Sequence, residues 1–177
     1  MIEVEVKYKV ECHELEIIEK KLIDMGYKLI KSGKEVDIYF NSPIRDFRIS
    51  DEALRVRISY EGYFLTYKGK KMDKKTKTRE ELNVRIDNAE IMQKILFKLG
   101  FSRVKEVVKN RKIYFKDDVY VCLDKVENLG CFLELEKDVC KKDEVKDSIK
   151  KLKTLAEKLG IRGESITSSY LEMLINA

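Results

Sequence analysis

The segment Ile2-Glu3-Val4-Glu5-Val6-Lys7-Tyr8-Lys9 alternates apolar and ionic residues without a break. Strand side chains point to opposite faces with period two. The segment therefore reads as a strand with Val4, Val6 and Tyr8 on one face and Glu3, Glu5, Lys7 and Lys9 on the other. A single strand of this kind needs no special explanation, because one face of an antiparallel sheet commonly meets water. The constraint comes from recurrence. Leu54-Arg55-Val56-Arg57-Ile58 sets two arginines against three aliphatic residues, and Leu65-Thr66-Tyr67-Lys68 groups Thr66 with Lys68. Further on, Arg79, Glu81, Asn83 and Arg85 share a face, as do Lys109 with Arg111, Cys122 with Asp124, and Glu134 with Glu136.

Repetition on this scale defines a sheet with one systematically ionic face. If the sheet closes into a barrel, that face lies either outside or inside. The helical stretches between the strands carry apolar stripes and need an apolar surface to pack on; if they cover the outside of the barrel, the ionic face lines the interior. Such a lumen is not a dry core, since buried charge without a partner is strongly unfavourable. It must hold water, counter-ions or a charged ligand. Clustered arginines and lysines suit phosphate oxygens. Clustered carboxylates suit hard divalent cations such as magnesium or manganese. One ligand meets both needs: a polyphosphate with its metal ions. From the alternation alone, solvated outer faces remain the other reading.

The apolar stripes predict four helices. The first runs from about His13 to Met25 through Leu15, Ile18 and Leu22, with Gly26 after it. The second runs from about Ala89 to Leu99, with Asn88 as N-cap, Met92, Ile95, Leu96 and Leu99 as buried candidates, and Gly100 at its end. The third, from about Asp143 to Leu159, buries Val145, Ile149, Leu152, Ala156 and Leu159; a short last helix spans roughly Ser168 to Leu174. These spacings are core packing. Residues 1–177 form one domain, with no linker or internal repeat. The basic connection Gly69–Thr78 reads as a solvated hairpin loop, or as a flap at the tunnel mouth that draws in an anion.

Charged residues make up 39% of the chain, yet the net charge is only +5, so bases alternate with acids and do not form a nucleic-acid-binding stripe. Nucleic acid is accordingly an unlikely partner by composition, and no apolar run reaches the roughly 18 residues of a membrane span. No signal segment precedes the strand motif, which points to the cytoplasm. Cys12, Cys122, Cys131 and Cys140 form no C-x-x-C pair. Reduced, packed thiols are expected in that compartment, with a Cys131–Cys140 bridge as the alternative. His13 is the single histidine, which argues against a histidine-based zinc site or triad. An exposed helix face leaves room for a homodimer.

Glu3-x-Glu5-x-Lys7 resembles the E-x-E-x-K signature of the CYTH superfamily, the triphosphate tunnel metalloenzymes. The likeness continues in order through Val36-Asp37-Ile38-Tyr39-Phe40, Ala53-Leu54-Arg55-Val56-Arg57, Thr66-Tyr67-Lys68-Gly69 and Arg79-Glu80-Glu81. It extends through Lys109-Asn110-Arg111, Asp124-x-Val126-x-x-Leu129-Gly130-x-Phe132-x-Glu134-x-Glu136 and Ser169-Tyr170. Within the superfamily the Asp-x-Tyr-Phe and Leu-Gly-x-Phe-x-Glu-x-Glu segments are most similar to class IV adenylyl cyclases. Two features depart from that pattern: the His-Phe pair that precedes E-x-E-x-K in those cyclases is missing, and Asn83 stands where an R-x-E-x-E pattern has a carboxylate.

The resemblance implies an α+β fold built on a closed antiparallel eight-stranded β-barrel, with helices packed outside. It implies an enzyme acting on ATP or inorganic triphosphate with Mg2+ or Mn2+: a class IV-type adenylyl cyclase, or an inorganic, nucleoside or thiamine triphosphatase. A polyphosphate-binding sensor without turnover is the third reading. Glu3, Glu5, Glu134 and Glu136 are the candidate metal ligands, and Glu5, Asp124 and Glu136 the candidate catalytic residues, with Asp124 and Glu81 as second choices for ligands or orienting groups. Lys7, Arg55, Arg57, Lys68, Arg79, Lys109 and Arg111 are the candidate triphosphate grip, with Lys9 and Arg85 at the rim. Tyr39 and Tyr170 are expected to pack against the barrel, with their hydroxyls hydrogen-bonded.

Overall fold

A computed structural model describes residues 2–72 and 78–177. Five residues of the Gly69–Thr78 connection, 73–77, fall outside the described residues, and with them most of the flap expectation. The elements follow as β1 (Ile2–Val10), α1 (Glu14–Asp24), β2 (Lys28–Asn41), α2 (Phe47–Ser50), β3 (Ala53–Ser59), β4 (Gly62–Lys68) and β5 (Arg79–Ile86). Then come α3 (Ala89–Lys98), β6 (Ser102–Lys116), β7 (Val119–Val126), β8 (Gly130–Val139), α4 (Val145–Lys158) and α5 (Tyr170–Ile175). The strands close into an antiparallel barrel in the order β1-β5-β4-β3-β2-β6-β7-β8. The long β2–β6 pair shifts register between Leu29 and Lys31 and again between Ile38 and Phe40. Irregularities of this kind bend a strand, which lets two long strands follow a closed wall.

Alternation along each strand sorts the two faces as the sequence requires. Outward-facing Val4, Val6, Tyr8 and Val10 of β1 join Val121 and Leu123 of β7 and Leu133 and Leu135 of β8. Ile18 and Leu22 of α1 and Leu152, Leu155 and Ala156 of α4 cover them. On the other side, Ile38, Phe40, Leu54 and Val56 are covered by Phe47 of α2 and by Ala89 and Leu96 of α3. Each fully buried aliphatic side chain in these layers contributes about 1.5–3 kcal/mol relative to exposure. The outer layer therefore holds the barrel shut while its interior stays polar.

Helix starts and stops follow local chemistry. The Asn88 side chain accepts a hydrogen bond from Ile91 N at 2.9 Å, capping α3. Gly26 and Gly100 follow α1 and α3 with φ of 83° and 89°, a left-handed conformation that other residues adopt only with strain. Two sequence expectations change. Ile95 and Leu99 are not buried but 46% and 63% exposed. The helix rests on Ala89 and Leu96, with Met92 half-buried, and among the described residues no layer covers its outer side. The cysteines are not all thiols either: Cys12 is disulfide-bonded to Cys131, while Cys122 and Cys140 are free. Register is the reason, because Val10 lies opposite Cys131 on the β1–β8 ladder and Cys12 follows two residues later. No helix is long and apolar enough to cross a membrane among the described residues.

Candidate functional site

Hydrogen-bonded register places the inward residues in rings. On the β1–β8 ladder Glu5 lies opposite Glu136 and Lys7 opposite Glu134, while Glu3 meets Arg79 of β5. Lys68 lies opposite Glu81, and Thr66 joins Arg55 to Asn83 across three strands. Arg111 lies opposite Asp124, and Lys109 lies opposite Glu35. All the residues proposed from sequence as ligands or grip therefore share the inner face. Lys9 and Arg85 are exposed, as expected of rim positions.

Two cavities run into this interior. One, of about 370 Å³, is lined by Glu3, Glu5, Arg55, Arg57, Lys68, Arg79, Glu81, Lys109, Arg111, Glu134 and Glu136, with Tyr39, Tyr170 and residues of α2 and α5 at its mouth. The other, of about 430 Å³, approaches from the opposite end past Lys31, Phe64 and Tyr120. Arg55, Arg57, Glu81 and Ile113 line both, so the two meet at a charged waist. Lys7 and Asp124 line neither cavity and are fully buried in the wall. Asp124 meets its neighbours there: it accepts Arg111 Nε at 2.6 Å and the Tyr170 hydroxyl at 2.8 Å. Tyr170 does the job expected of it. Its ring also receives the Lys7 ammonium at 3.9 Å and packs edge-on against Phe132.

The lumen is charge-balanced. Lys68 bridges Glu3 at 2.8 Å and Glu81 at 2.6 Å. Lys7 sits 3.2 Å from Glu134 and 3.9 Å from Glu5. Arg111 binds Asp124 and Glu134 and lies 3.8 Å from Glu136. Burial pushes the Glu81 carboxyl up, but Lys68 and Arg55 outweigh it and hold the group down at about 2. Glu136 goes the other way: burial, then the negative charges of Glu3, Glu134 and Glu5, push its carboxyl well above the usual range despite Arg111. Among the described residues no three His, Cys, Asp or Glu side chains form a ready-made metal cage, because cations already hold most of these carboxylates. The donor chemistry nonetheless fits a hard cation. Glu5 and Glu136 confront each other directly across a ladder, an arrangement of like charges that is unfavourable without a cation between them.

Two inward carboxylates lie outside the candidate set drawn from the sequence, although Asp37 belongs to the Asp-x-Tyr-Phe likeness. Glu35 and Asp37 of β2 point inward and are each only 1% exposed. Asp37 accepts Arg57 Nε at 2.6 Å and Nη2 at 2.8 Å, Lys109 Nζ at 3.3 Å and Arg55 Nη1 at 3.4 Å. The alternation Glu35-Val36-Asp37-Ile38-Tyr39-Phe40 carried the same period-two signal as the other strands.

Comparison with known proteins agrees with this architecture. The CYTH domain family model matches residues 1–170, and the chain belongs to that family. A Methanocaldococcus jannaschii protein named "Putative adenylate cyclase" is 43% identical over 174 residues, covering 98% of each chain. The adenylate cyclase CyaB of Aeromonas hydrophila is 26% identical over 94% of this chain and 86% of its own. A solved structure from Pyrococcus horikoshii is 38% identical, covers 98% of both chains and superposes with a TM-score of 0.89.

Proposed function

We propose that this protein binds a triphosphate together with divalent metal in the barrel lumen and converts ATP to cyclic AMP and pyrophosphate, as a class IV-type adenylyl cyclase. The lumen's charge balance carries the reading. Lys7, Arg55, Arg57, Lys68, Arg79, Lys109 and Arg111 face Glu3, Glu5, Glu35, Asp37, Glu81, Asp124, Glu134 and Glu136, so seven cations meet eight carboxylates. A bare triphosphate entering such a space would add uncompensated negative charge. A triphosphate with its own cations would not. The tunnel enzymes of the family are generally dependent on divalent metal, in keeping with this arithmetic.

Glu5 and Glu136, with Glu3 and Glu134 beside them, are the residues that would hold Mg2+ or Mn2+. When bound, the ion supplies charge neutralisation at the reacting phosphoryl group and a lowered pKa at the attacking oxygen. The protein's own side chains do the remaining work. Arg55, Lys68, Arg79, Lys109 and Arg111 line the cavity and grip the phosphate chain, which fixes the reacting phosphorus in line with its nucleophile. Asp124 and Tyr170 hold Arg111 and Lys7 in position from behind. In the cyclase reaction the ribose 3′-hydroxyl attacks the α-phosphorus and pyrophosphate leaves. The adenylate cyclase names of the 43% and 26% identical relatives support this choice.

A second reading, hydrolysis of the terminal phosphate of inorganic, nucleoside or thiamine triphosphate, is favoured by Asn83. The cyclase-like pattern has a carboxylate there, whereas Asn83 Oδ1 accepts the Thr66 hydroxyl at 2.7 Å. Incubation with ATP, inorganic triphosphate or thiamine triphosphate, each with magnesium or manganese, separates the readings. Cyclic AMP with pyrophosphate supports the cyclase, and orthophosphate supports the triphosphatase. Binding without product reduces the protein to a sensor, and no binding overturns the reading.

A further inference from the structure

Glu35 and Asp37 stand two residues apart on β2, equally buried, among the same cations, yet they are bonded differently. Asp37 takes two hydrogen bonds from Arg57 and one each from Arg55 and Lys109, and so ties β3 and β6 to β2 at one carboxylate. Neither oxygen of Glu35 has a hydrogen-bond partner among the described residues. Glu35 is held by charge alone: Lys31 Nζ at 3.0 Å, Arg57 Nη1 at 3.3 Å and Lys109 Nζ at 3.5 Å. Three cations surround Glu35, so its charge is stabilised where it sits and offsets their pull on any polyanion that enters. Among the described residues, neither lines either of the two luminal cavities. Each lies behind cations that do, where it changes their field and orientation without touching the ligand.

We propose that the pair divides two tasks at the triphosphate site: Asp37 is a positioning residue that aims Arg55, Arg57 and Lys109, whereas Glu35 is a resident counter-ion that limits how tightly the tunnel holds a polyanion. This rests on the reading of the lumen as a triphosphate site. The use of such a limit lies in turnover. Cleavage leaves a pyrophosphate or phosphate product in the same cationic grip, and a lumen without internal counter-charge would release it slowly. Arg57 shows the moderation directly. Its Nε and Nη2 go to Asp37 and its Nη1 faces Glu35, so carboxylates engage all three guanidinium nitrogens before any ligand arrives. Arg55 keeps a buried Nε with no hydrogen-bond partner among the described residues and is the readier donor.

The two neutral isosteres should therefore act in opposite directions. Inorganic triphosphate is titrated calorimetrically, with and without magnesium, into wild type, Glu35→Gln and Asp37→Asn. For Glu35→Gln the dissociation constant should fall about tenfold, the order expected from removing one unit charge near the ligand. Pyrophosphate should bind more tightly as well and inhibit turnover at lower concentration. For Asp37→Asn the dissociation constant should rise about tenfold as the cations lose their aim. A purely structural role for both residues would weaken binding in both variants. If Glu35→Gln is unfolded on its own, melting curves across a range of triphosphate concentrations give its dissociation constant and its unfolding constant separately, and a dissociation constant at or above that of wild type counts against the proposal. Wild-type binding combined with weaker or unchanged binding by Glu35→Gln overturns this inference alone. No binding by the wild type overturns the functional reading and takes the inference with it.

Discussion

Replacing Cys12 by serine should remove a large part of the barrel's stability. The Cys12–Cys131 bridge spans 119 residues of sequence. In the chain-entropy description, closing a loop of that length in the unfolded chain contributes about 4.9 kcal/mol at 25 °C. At about 2.1 cal/mol/K of unfolding entropy per residue, a chain of this length carries about 0.37 kcal/mol/K, so the loss corresponds to about 13 °C in Tm. The bridge sits where β1 ends and β8 begins, on the ladder that sets Glu5 opposite Glu136. Cys12 is exposed and open to reductant, while Cys131 is buried. Scanning calorimetry is run on oxidised wild type, reduced wild type, Cys12→Ser, and Cys140→Ser as a control for an exposed free thiol. The first two should differ by about 13 °C, Cys12→Ser should match the reduced protein and ignore reductant, and Cys140→Ser should match oxidised wild type. A Cys12→Ser midpoint within about 3 °C of oxidised wild type would refute the loop-closure reasoning.

Glu136→Gln should lower turnover by orders of magnitude while raising the metal-free melting temperature, because it removes a charge that burial and three neighbouring glutamates disfavour; near-normal turnover would overturn its metal role. Tyr170→Phe deletes the hydroxyl that donates to buried Asp124 and should cost about 1–3 kcal/mol in urea denaturation; an unchanged midpoint would mean that Arg111 alone satisfies Asp124. Acid should unfold the protein through its tunnel. Burial raises the carboxyls of Glu35, Asp37 and Glu81, but Arg57, Lys109, Arg55 and Lys68 hold them below the usual range, Glu81 at about 2. A depressed folded-state pKa contributes stability that is full above the unfolded value near 4.5 and is lost as pH falls toward 2. A melting temperature that stays flat across that window would contradict these pairings.

Period-two alternation marked the ionic face because it survives in each strand separately, and the resemblance to the tunnel family is what closed that face into a barrel. Lys68 with Glu81 and Lys7 with Glu134 become neighbours only through register, but their inward orientation was already written in β1, β4, β5 and β8. Glu35 and Asp37 carry the same signal in Glu35-Val36-Asp37-Ile38-Tyr39-Phe40. The disulfide was out of reach, since no short spacing announces a partnership across 119 residues. Ile95 and Leu99 show a different limit. Helical spacing identifies an apolar stripe but does not say how wide a layer will cover it, and α3 is broader in apolar residues than the surface beneath it. Asp124 reads from sequence as a ligand or an orienting group, and alternation does not give its depth; it is fully buried. Only packing reveals that Tyr170 and Arg111 both donate to it.

The most direct test is a crystal grown with manganese and inorganic triphosphate, with data collected at the manganese absorption edge. Anomalous density beside Glu5 and Glu136, and a phosphate chain against Arg55, Lys109 and Arg111, is the expected result. Manganese and triphosphate bound only on the outer surface, with those side chains still paired to one another in the lumen, would contradict it.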